Sequence, residues 1–271
     1  MTLLGIIASQ NYPRTFSVDY LVVAGGGGAG SGGAARVGGG GAGGYRSSTL
    51  TGVQLGTNYA VEVGAGGAST SSGVASLFSS ISATGGGGGG DNSSTPNGDS
   101  GGSGGGGSAN PASSSVGTGG SGNAGSYSPV EGYAGGDGRH VSGLYHQGGG
   151  GGGSAGAGAS INSVSDTGPG GAGTANSISG SSVTYAKGGA GSGTNNYLSP
   201  GTPGAANTGN GGEGTDVSDN GRAGGSGVVI LKYPDSRTIT IGAGLTGSTG
   251  SPSGGYKVTT ITAGTGNVSW A

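Results

Sequence analysis

The sequence predicts an irregular, all-β fold, in which a packed array of polyglycine-II helices is flanked by short β-strands and α-helix is essentially absent. Glycine supplies 78 of the 271 residues and lies mostly in runs. Short segments rich in β-branched and aromatic residues abut those runs, which is typical of strands. Glycine is a poor helix former, and no segment presents an apolar face at helical spacing.

Four segments carry the strand pattern, and each of them adjoins glycine. They are VDYLVVAG (18–25), YAVEVGAGG (59–67), LFSSISATGG (77–86) and GVVILKYP (227–234). Because these segments are spread from one end of the glycine-rich part to the other, they are placed to clamp it.

The glycine tracts between the strands have two possible structures. Gly/Ser sequence usually forms flexible linkers, and a disordered, silk-like matrix protein is a related alternative. In the other structure, extended left-handed helices pack side by side and their backbones bond directly to each other. Ala and Ser are the main interruptions of the tracts, and aromatic or charged residues sit at tract ends, which favours packing. In a packed array, Gly87→Val should destabilise the protein.

Gly28, Gly30 and Gly33 match G-x-G-x-x-G, the fingerprint of dinucleotide-binding folds, but glycine content alone explains the match. The fingerprint needs a helix after the third glycine and an acidic residue about 20 positions later. The next acid after Asp19 is Glu62. Collagen is excluded as well, because the glycines lack a strict G-X-Y period. No cofactor is expected.

The charge and cysteine content exclude further classes. The formal net charge is −2, the nine Lys and Arg residues are scattered, and cysteine is absent, so neither a nucleic-acid surface nor a disulfide scaffold is expected. The start, MTLLGIIASQ (1–10), has a short apolar run and no basic residue before Arg14, which is unlike an export signal. No run approaches the length of a membrane helix. We expect a protein made in a cytoplasm.

We divide the chain into an N-terminal attachment segment (1–17), a glycine-rich domain (18–234) and a separate small β element (235–271). The apolar start would be an aggregation hazard if it were exposed, and the only tryptophan lies beside the C-terminus. We therefore expect both ends to form the assembly surface, and a chain truncated after Pro234 to keep its glycine-rich fold. The predicted assembly residues are Leu3, Leu4, Ile6, Ile7 and Trp270.

Five ordered motifs carry a family resemblance: DYLVVAGGGGAGSGG (19–33), GGGGAGGYR (38–46), YAVEVGAGG (59–67), SISATGGGGGGD (80–91) and GGSGVVILKYP (224–234). Over roughly residues 18–234 the chain resembles the glycine-rich domain of bacteriophage tail-fibre and other virion proteins. More loosely, it is similar to the polyglycine-helix tail-fibre-tip adhesins of T-even-like phages. The resemblance implies a lattice of polyglycine helices with flanking strands, loops that contact the host receptor, and a place in the virion after assembly in the host cytoplasm. The chain departs from the family in having no long fibre shaft.

If the tracts are a scaffold, recognition falls to the segments that have side chains. The richest is YSPVEGYAGGDGRHVSGLYHQ (127–147), which holds both histidines; aromatic rings with Arg and His are common in binding hot spots. The alternative is that these rings cap the array or fill a subunit contact. TNNYLSPGTP (194–203) and DNSSTPNGD (91–99) are weaker candidates. The predicted receptor-binding residues are Tyr127, Tyr133, Arg139, His140, Tyr145, His146, Asn195, Asn196 and Tyr197.

No metal or catalytic site is predicted. Asp137, His140 and His146 fit no common zinc spacing. Asp216 and Asp219 lack the alternating oxygens and closing Glu of a calcium loop. No nucleophile elbow comes with a histidine partner.

The residues and the resemblance together predict a non-enzymatic bacteriophage virion protein, a tail-fibre or adhesin component that binds a polysaccharide or outer-membrane protein of the bacterial surface. The alternative is a structural capsid- or tail-decoration protein that contacts only other virion subunits. Expected partners are other virion proteins, a bacterial receptor and further copies of the chain, with trimers common in the resembling family. Neither nucleic acid nor membrane insertion is expected.

Overall fold

The computed structural model describes residues 15–32, 36–91, 95–109, 115–141, 145–162, 168–193, 201–215 and 221–271. All regular structure in these ranges is β-strand, which confirms the predicted irregular all-β class. No helix in this part of the chain could span a membrane by its length and hydropathy. The strands are β1 Thr15–Val23, β2 Tyr45–Gln54, β3 Tyr59–Val63, β4 Ser76–Phe78, β5 Ile81–Ala83, β6 Arg139–Val141, β7 Tyr145–Gln147, β8 Thr174–Asn176, β9 Val183–Tyr185, β10 Val228–Pro234, β11 Ile239–Ile241, β12 Leu245–Thr249 and β13 Tyr256–Trp270.

Nine of these strands form one antiparallel sheet, in the order β2-β1-β10-β13-β3-β4-β5, with β11 and β12 also paired to β13. The strands β1 and β10 have the longest apolar runs, and both lie in the middle of the sheet, where each face is covered. The strand β2 is richer in Ser and Thr and lies at an edge. The two remaining hairpins, β6-β7 and β8-β9, are separate.

The long strand β13 joins the halves of the sheet, because both of its edges are used. Ile261 pairs with Val229 of β10 on one side and with Gly247 of β12 on the other. Further along, Gly264 pairs with Val63 of β3 and with Leu245 of β12. The strand therefore holds β10 and β3 along one edge and β12 and β11 along the other.

The sheet is nearly closed, with its edge strands β2 and β5 facing each other. Arg46 Nη1 donates to the Ser82 carbonyl at 3.1 Å. The inward face carries the larger apolar core, which includes Leu231, Phe78 and Ile261. The outward face carries a second core, in which Leu21 and Ile230 pack with residues of the β8-β9 hairpin.

The C-terminal part of the chain, 235–271, is not the separate β element that the sequence suggested, because β11, β12 and β13 belong to this sheet. Trp270 is only 1% exposed. Its indole contacts three aromatic rings edge-on, those of Phe16, Tyr59 and Tyr233, at centroid distances of 5.6, 5.7 and 5.7 Å. The apolar ring is thus enclosed by the chain's own core, and the assembly role of this residue stays a prediction.

The glycine tracts form a packed array, and the tract 36–44 shows how neighbouring tracts are hydrogen-bonded to each other. Its N–H groups donate in turn to three neighbouring tracts, and every third donor returns to the same one. Gly38, Gly41 and Gly44 donate to Gly90, Gly87 and Thr84; Gly39 and Ala42 donate to Gly149 and Gly152; Gly40 and Gly43 donate to Gly212 and Gly209. This is the period of a left-handed helix with three residues per turn.

The carbonyls of the same tract accept bonds from three further tracts, at 27–30, 103–106 and 189–192. The tract is thus a central helix with neighbours on all sides, and its backbone groups are paired although no sheet contains them. Glycine is required for this approach. A Cβ at Gly40 would lie closer than 3.0 Å to the Gly27 carbonyl, and one at Gly87 would meet the Asp99 carbonyl equally closely.

The array has two ends. At the sheet end, tracts leave strands: Ala24 follows β1 and donates to the Gly44 carbonyl, and Gly44 in turn donates to Thr84. At the far end, Gly30 donates to Gly38, and Gly38 donates to Gly90. At roughly 3.1 Å per residue, the six steps from 38 to 44 separate the ends by about 19 Å.

The packing predicts a large cost for a single methyl group inside the array. Gly87→Ala should lower the free energy of unfolding by about 1–3 kcal/mol, because the Cβ would overlap backbone that is held by the lattice. Gly193→Ala is the matched control, since its Cβ would meet nothing within 4 Å, and its effect should stay within about 0.5 kcal/mol. Chemical denaturation measures both. Equal stability of the two variants would contradict the packed array.

The enclosed indole predicts that the C-terminus is needed for folding. Trp270→Ala should cost about 3–5 kcal/mol, while Thr265→Ala, on the exposed side of the same strand, should cost little. Truncation after Pro234 should unfold the chain, because β10 and β3 lose β13 as a partner. A truncated chain with the melting temperature of the full chain would refute this role for β13.

Candidate functional site

The structure separates the residues that the sequence grouped into one receptor site. Arg139, His140 and His146 lie in the β6-β7 hairpin at the far end of the array. There, Gly148 after β7 donates to Ser192, and Ser192 donates to Val37. Tyr127 lies at the sheet end instead, where its ring stacks with Arg46 of β2 at 4.1 Å.

The two histidines form a pair across the β6-β7 hairpin. Their Nδ1 atoms are 2.8 Å apart, and their rings stack with centroids 4.6 Å apart and planes 20° apart. One Nδ1 must donate and the other accept, so at least one ring has to be neutral. Burial lowers the pKa of His146, and the charges of His140 and Arg36 lower it further. The folded hairpin therefore favours a neutral His146.

The other predicted site residues divide into exposed and undescribed ones. Tyr133 is 42% exposed, and its carbonyl accepts the Gly104 N–H, so the backbone is fixed while the ring faces solvent. The side chain of Tyr145 is not described. Seven predicted residues lie outside the described ranges and remain predictions. They are Asn195, Asn196 and Tyr197 of the second receptor segment, and Leu3, Leu4, Ile6 and Ile7 of the N-terminal assembly segment.

Possible metal ligands do not converge in the described part of the chain, where no three His, Cys, Asp or Glu side chains could hold one ion. Asp137 Oδ1 accepts the Gly119 N–H at 2.8 Å, so this carboxylate holds a loop to a glycine tract. Asp216 and Asp219 fall outside the described residues.

A groove that the sequence did not predict runs around the β2 edge of the sheet end and onto the outward face, since its lining includes Tyr20 of the larger core as well as Asn176 of the β8-β9 hairpin. Three adjoining hollows of about 350, 300 and 300 Å³ make it up. The first two share Ser47 and Ser48 of β2. The second and third share Ser177, Ile178 and Lys232. We call this continuous feature the sheet groove.

Side chains along the sheet groove are held by specific contacts. Asn176 Nδ2 donates to the Tyr45 hydroxyl at 2.7 Å. The Thr49 hydroxyl donates to Asp19 Oδ1 at 2.7 Å. At the other end of the groove, Lys232 Nζ lies 4.6 Å from the centroid of the Tyr256 ring.

These groove residues come from five separate strands, β1, β2, β8, β10 and β13, which explains why sequence reasoning missed them. Tyr45 and Lys232 lie in the motifs 38–46 and 224–234. In the sequence these motifs indicate only the end of a glycine tract and a β-strand, not a binding surface. Tyr256 begins a segment that the sequence marks as a strand, 256–261, and Asn176 belongs to no recognisable pattern. Only the pairing of β2, β1, β10 and β13, together with the packing of the β8-β9 hairpin on these strands, brings them together.

A buried carboxyl anchors the loop that forms one wall of the groove. Glu131 is fully buried, and its Oε2 accepts the Thr84 N–H at 2.9 Å. Its backbone carbonyl accepts the N–H of Tyr45. Burial raises the pKa of the Glu131 carboxyl above its ordinary 4.5, against the lowering effects of the Thr84 bond and the Arg46 charge. The loop 123–131 is thus fixed to β2 and to Thr84, the residue that follows β5.

This raised pKa predicts a pH-dependent effect of Glu131→Gln. The folded state holds the Glu131 proton more tightly than the unfolded state, so ionisation of this group costs stability as the pH rises above 4.5. The neutral amide keeps an acceptor for Thr84 and avoids burying a charge. We expect the variant to be the more stable protein at pH 8 and the difference to shrink towards pH 4.5. Urea denaturation across that range tests this, and a less stable variant at pH 8 would show that the ionised carboxylate stabilises the fold.

Comparison with known proteins identifies a family but no individual relative. The model of a family described as a glycine-rich domain matches residues 7–234, which include the array and the central strands β1 and β10. No curated protein and no protein of solved structure is detectably similar to the chain. Because the family match covers most of the sequence, the chain belongs to the glycine-rich domain family.

Proposed function

We propose that the chain is a non-enzymatic bacteriophage virion protein, a tail-fibre or adhesin component that attaches to the bacterial surface through the far end of its array. The two-ended architecture carries this proposal. An array of backbone without side chains is a stiff spacer that offers few contacts of its own. Recognition then falls to the connections between tracts, and the β6-β7 hairpin with Arg139, His140 and His146 is one of these.

The composition of the far end supports a recognition role. Arg139, His140 and His146 are all partly exposed, and the stacked histidine pair is rigid before any ligand binds. Rigid rings and guanidinium groups lose little freedom on binding, so they contribute strongly to an interface. Arg36 lies close enough to His146 to affect its pKa, which adds a second cation to this end.

The sheet end supplies the complementary attachment surface in this proposal. Other virion subunits, including further copies of the chain, would dock there. In the alternative, a decoration protein, the far end contacts only other virion subunits. A location in the virion, assembly in the host cytoplasm and the absence of catalysis are parts of the same proposal.

The proposal predicts that far-end side chains control cell attachment. A variant with Arg139→Ala, His140→Ala and His146→Ala should keep its melting temperature but lose most of its binding to host cells, because hot-spot residues dominate an interface. Lys187→Ala is the control, since it removes an exposed cation beside the sheet end. Flow cytometry of labelled protein on bacterial cells, with inhibition of phage infection, gives the readout.

Two outcomes would count against the proposal. Unchanged cell binding by the folded triple variant would move the receptor site away from the β6-β7 hairpin. A wild-type protein that enters phage particles but binds no host cell would favour the decoration alternative.

A further inference from the structure

We propose that the sheet groove binds an extended, hydroxyl-rich polysaccharide strand. This site goes beyond the proposed receptor face, since it lies at the opposite end of the array and shares none of the far-end residues. The proposal therefore stands or falls separately from the function proposed above.

The direction of the sheet groove is the first argument. It runs across the strands, from β2 over β1 and β10 to β13, because its hollows are joined through Ser47 at one point and Lys232 at another. Four neighbouring strands at about 4.8 Å spacing give a length of about 14 Å. A ligand that fills it must be elongated.

The chemistry of the lining is the second argument. Hydroxyl groups dominate it, from Ser47, Ser48, Ser128, Thr174, Ser177 and Ser251. A hydroxyl both donates and accepts hydrogen bonds, so such a surface suits a ligand whose own groups are mostly hydroxyls. The amide of Asn176 and the carboxylate of Asp19 add one fixed donor and acceptor pair to the middle of the groove.

Two tyrosine rings supply the third argument. Tyr45 lines the first hollow and Tyr256 the last. The Tyr45 ring is oriented by Asn176 through the 2.7 Å bond to its hydroxyl. Tyr256 is 43% exposed. Sugar rings have apolar C–H faces that pack on aromatic rings, while their hydroxyls bond to the polar groups beside them. Ring contacts at the two ends with hydroxyls between them fit a run of sugar units.

The same features disfavour other elongated ligands. A peptide that extends a sheet lies along one edge strand and bonds to its backbone, whereas this groove crosses four strands whose inner members are already paired. A nucleic acid needs a run of cations. The groove has Arg46 and Lys232, each already stacked on a tyrosine ring, and it also contains the Asp19 carboxylate. A lipid chain would need a deep apolar cavity, which this lining does not offer.

Binding of defined polysaccharides tests the proposal. The probes are purified bacterial O-antigen and capsular polysaccharides, dextran as a neutral glucan, and hyaluronan as an anionic polymer. Isothermal titration calorimetry should find at least one binder. Tyr256→Ala and Asn176→Ala, made separately, should each weaken that binding about tenfold. The melting temperature of Tyr256→Ala should be unchanged because the ring is 43% exposed, while Asn176→Ala loses the bond to Tyr45 and is assayed below its own melting temperature. Thr184→Ala is the matched control, exposed on the same β8-β9 hairpin but outside the groove lining.

The following results would overturn the proposal. It fails if no polysaccharide in the panel binds, or if binding is the same in Tyr256→Ala, Asn176→Ala and wild type. Binding of an extended synthetic peptide in place of every polysaccharide, with new protection of β2 amides in hydrogen exchange, would reassign the groove to peptides. The far-end triple variant should bind the polysaccharide normally, which separates failure here from failure of the proposed function.

Discussion

The structure depends on direct hydrogen bonding between backbones that have no side chains between them. Each tract of the array presents its N–H groups in three directions, so a buried tract needs partners all around it. The bond from Gly27 to Gly41 and the bond from Gly40 to Gly212 are 2.8 and 2.9 Å long. At such separations a methyl group has no room. The glycine content of the chain follows from this constraint, and Ala42, which interrupts the central tract, is buried in the second apolar core.

The array cannot be stable by its own glycines alone, because glycine loses more conformational freedom on folding than any other residue. The sheet offsets part of this cost. Its strands β1 and β10 lead directly into and out of tracts, so the apolar cores on the two faces of the sheet fix where those tracts start. Trp270 stands at the centre of the larger core, and the last residues of the chain thereby support an array that begins near residue 24. The C-terminal strand is part of the same folding unit as the tracts.

Because the sheet supplies the apolar cores and the array supplies the spacing, the side chains available for binding lie on two separate surfaces. Most side chains occur where tracts end, and the tract ends followed above, at 24, 30, 38 and 44, lie at the sheet end or at the far end of the array. At the far end, a stacked histidine pair with arginines gives a compact, rigid contact surface. At the sheet end, the β8-β9 hairpin, β2 and β13 leave the sheet groove open, and the loop held by Glu131 forms its wall. A rigid array keeps these surfaces at a fixed separation, which flexible glycine linkers would not do.

The sequence by itself determined the fold class, the role of the tracts and the central strands. Runs of glycine exclude α-helix, and apolar runs such as 18–25 and 227–234 are recognisable as strands without any partner. Tertiary structure alone decided which tract lies beside which, because one glycine run is chemically the same as another and its backbone bonds carry no side-chain preference. It also decided that Tyr127 and His140 lie at opposite ends, that Trp270 is enclosed, and that Tyr45, Asn176 and Tyr256 line one groove. Those outcomes depend on strand register and on the lengths of the connections between tracts, since long-range pairing of β13 with β10 and β3 sets the order in which the tracts meet.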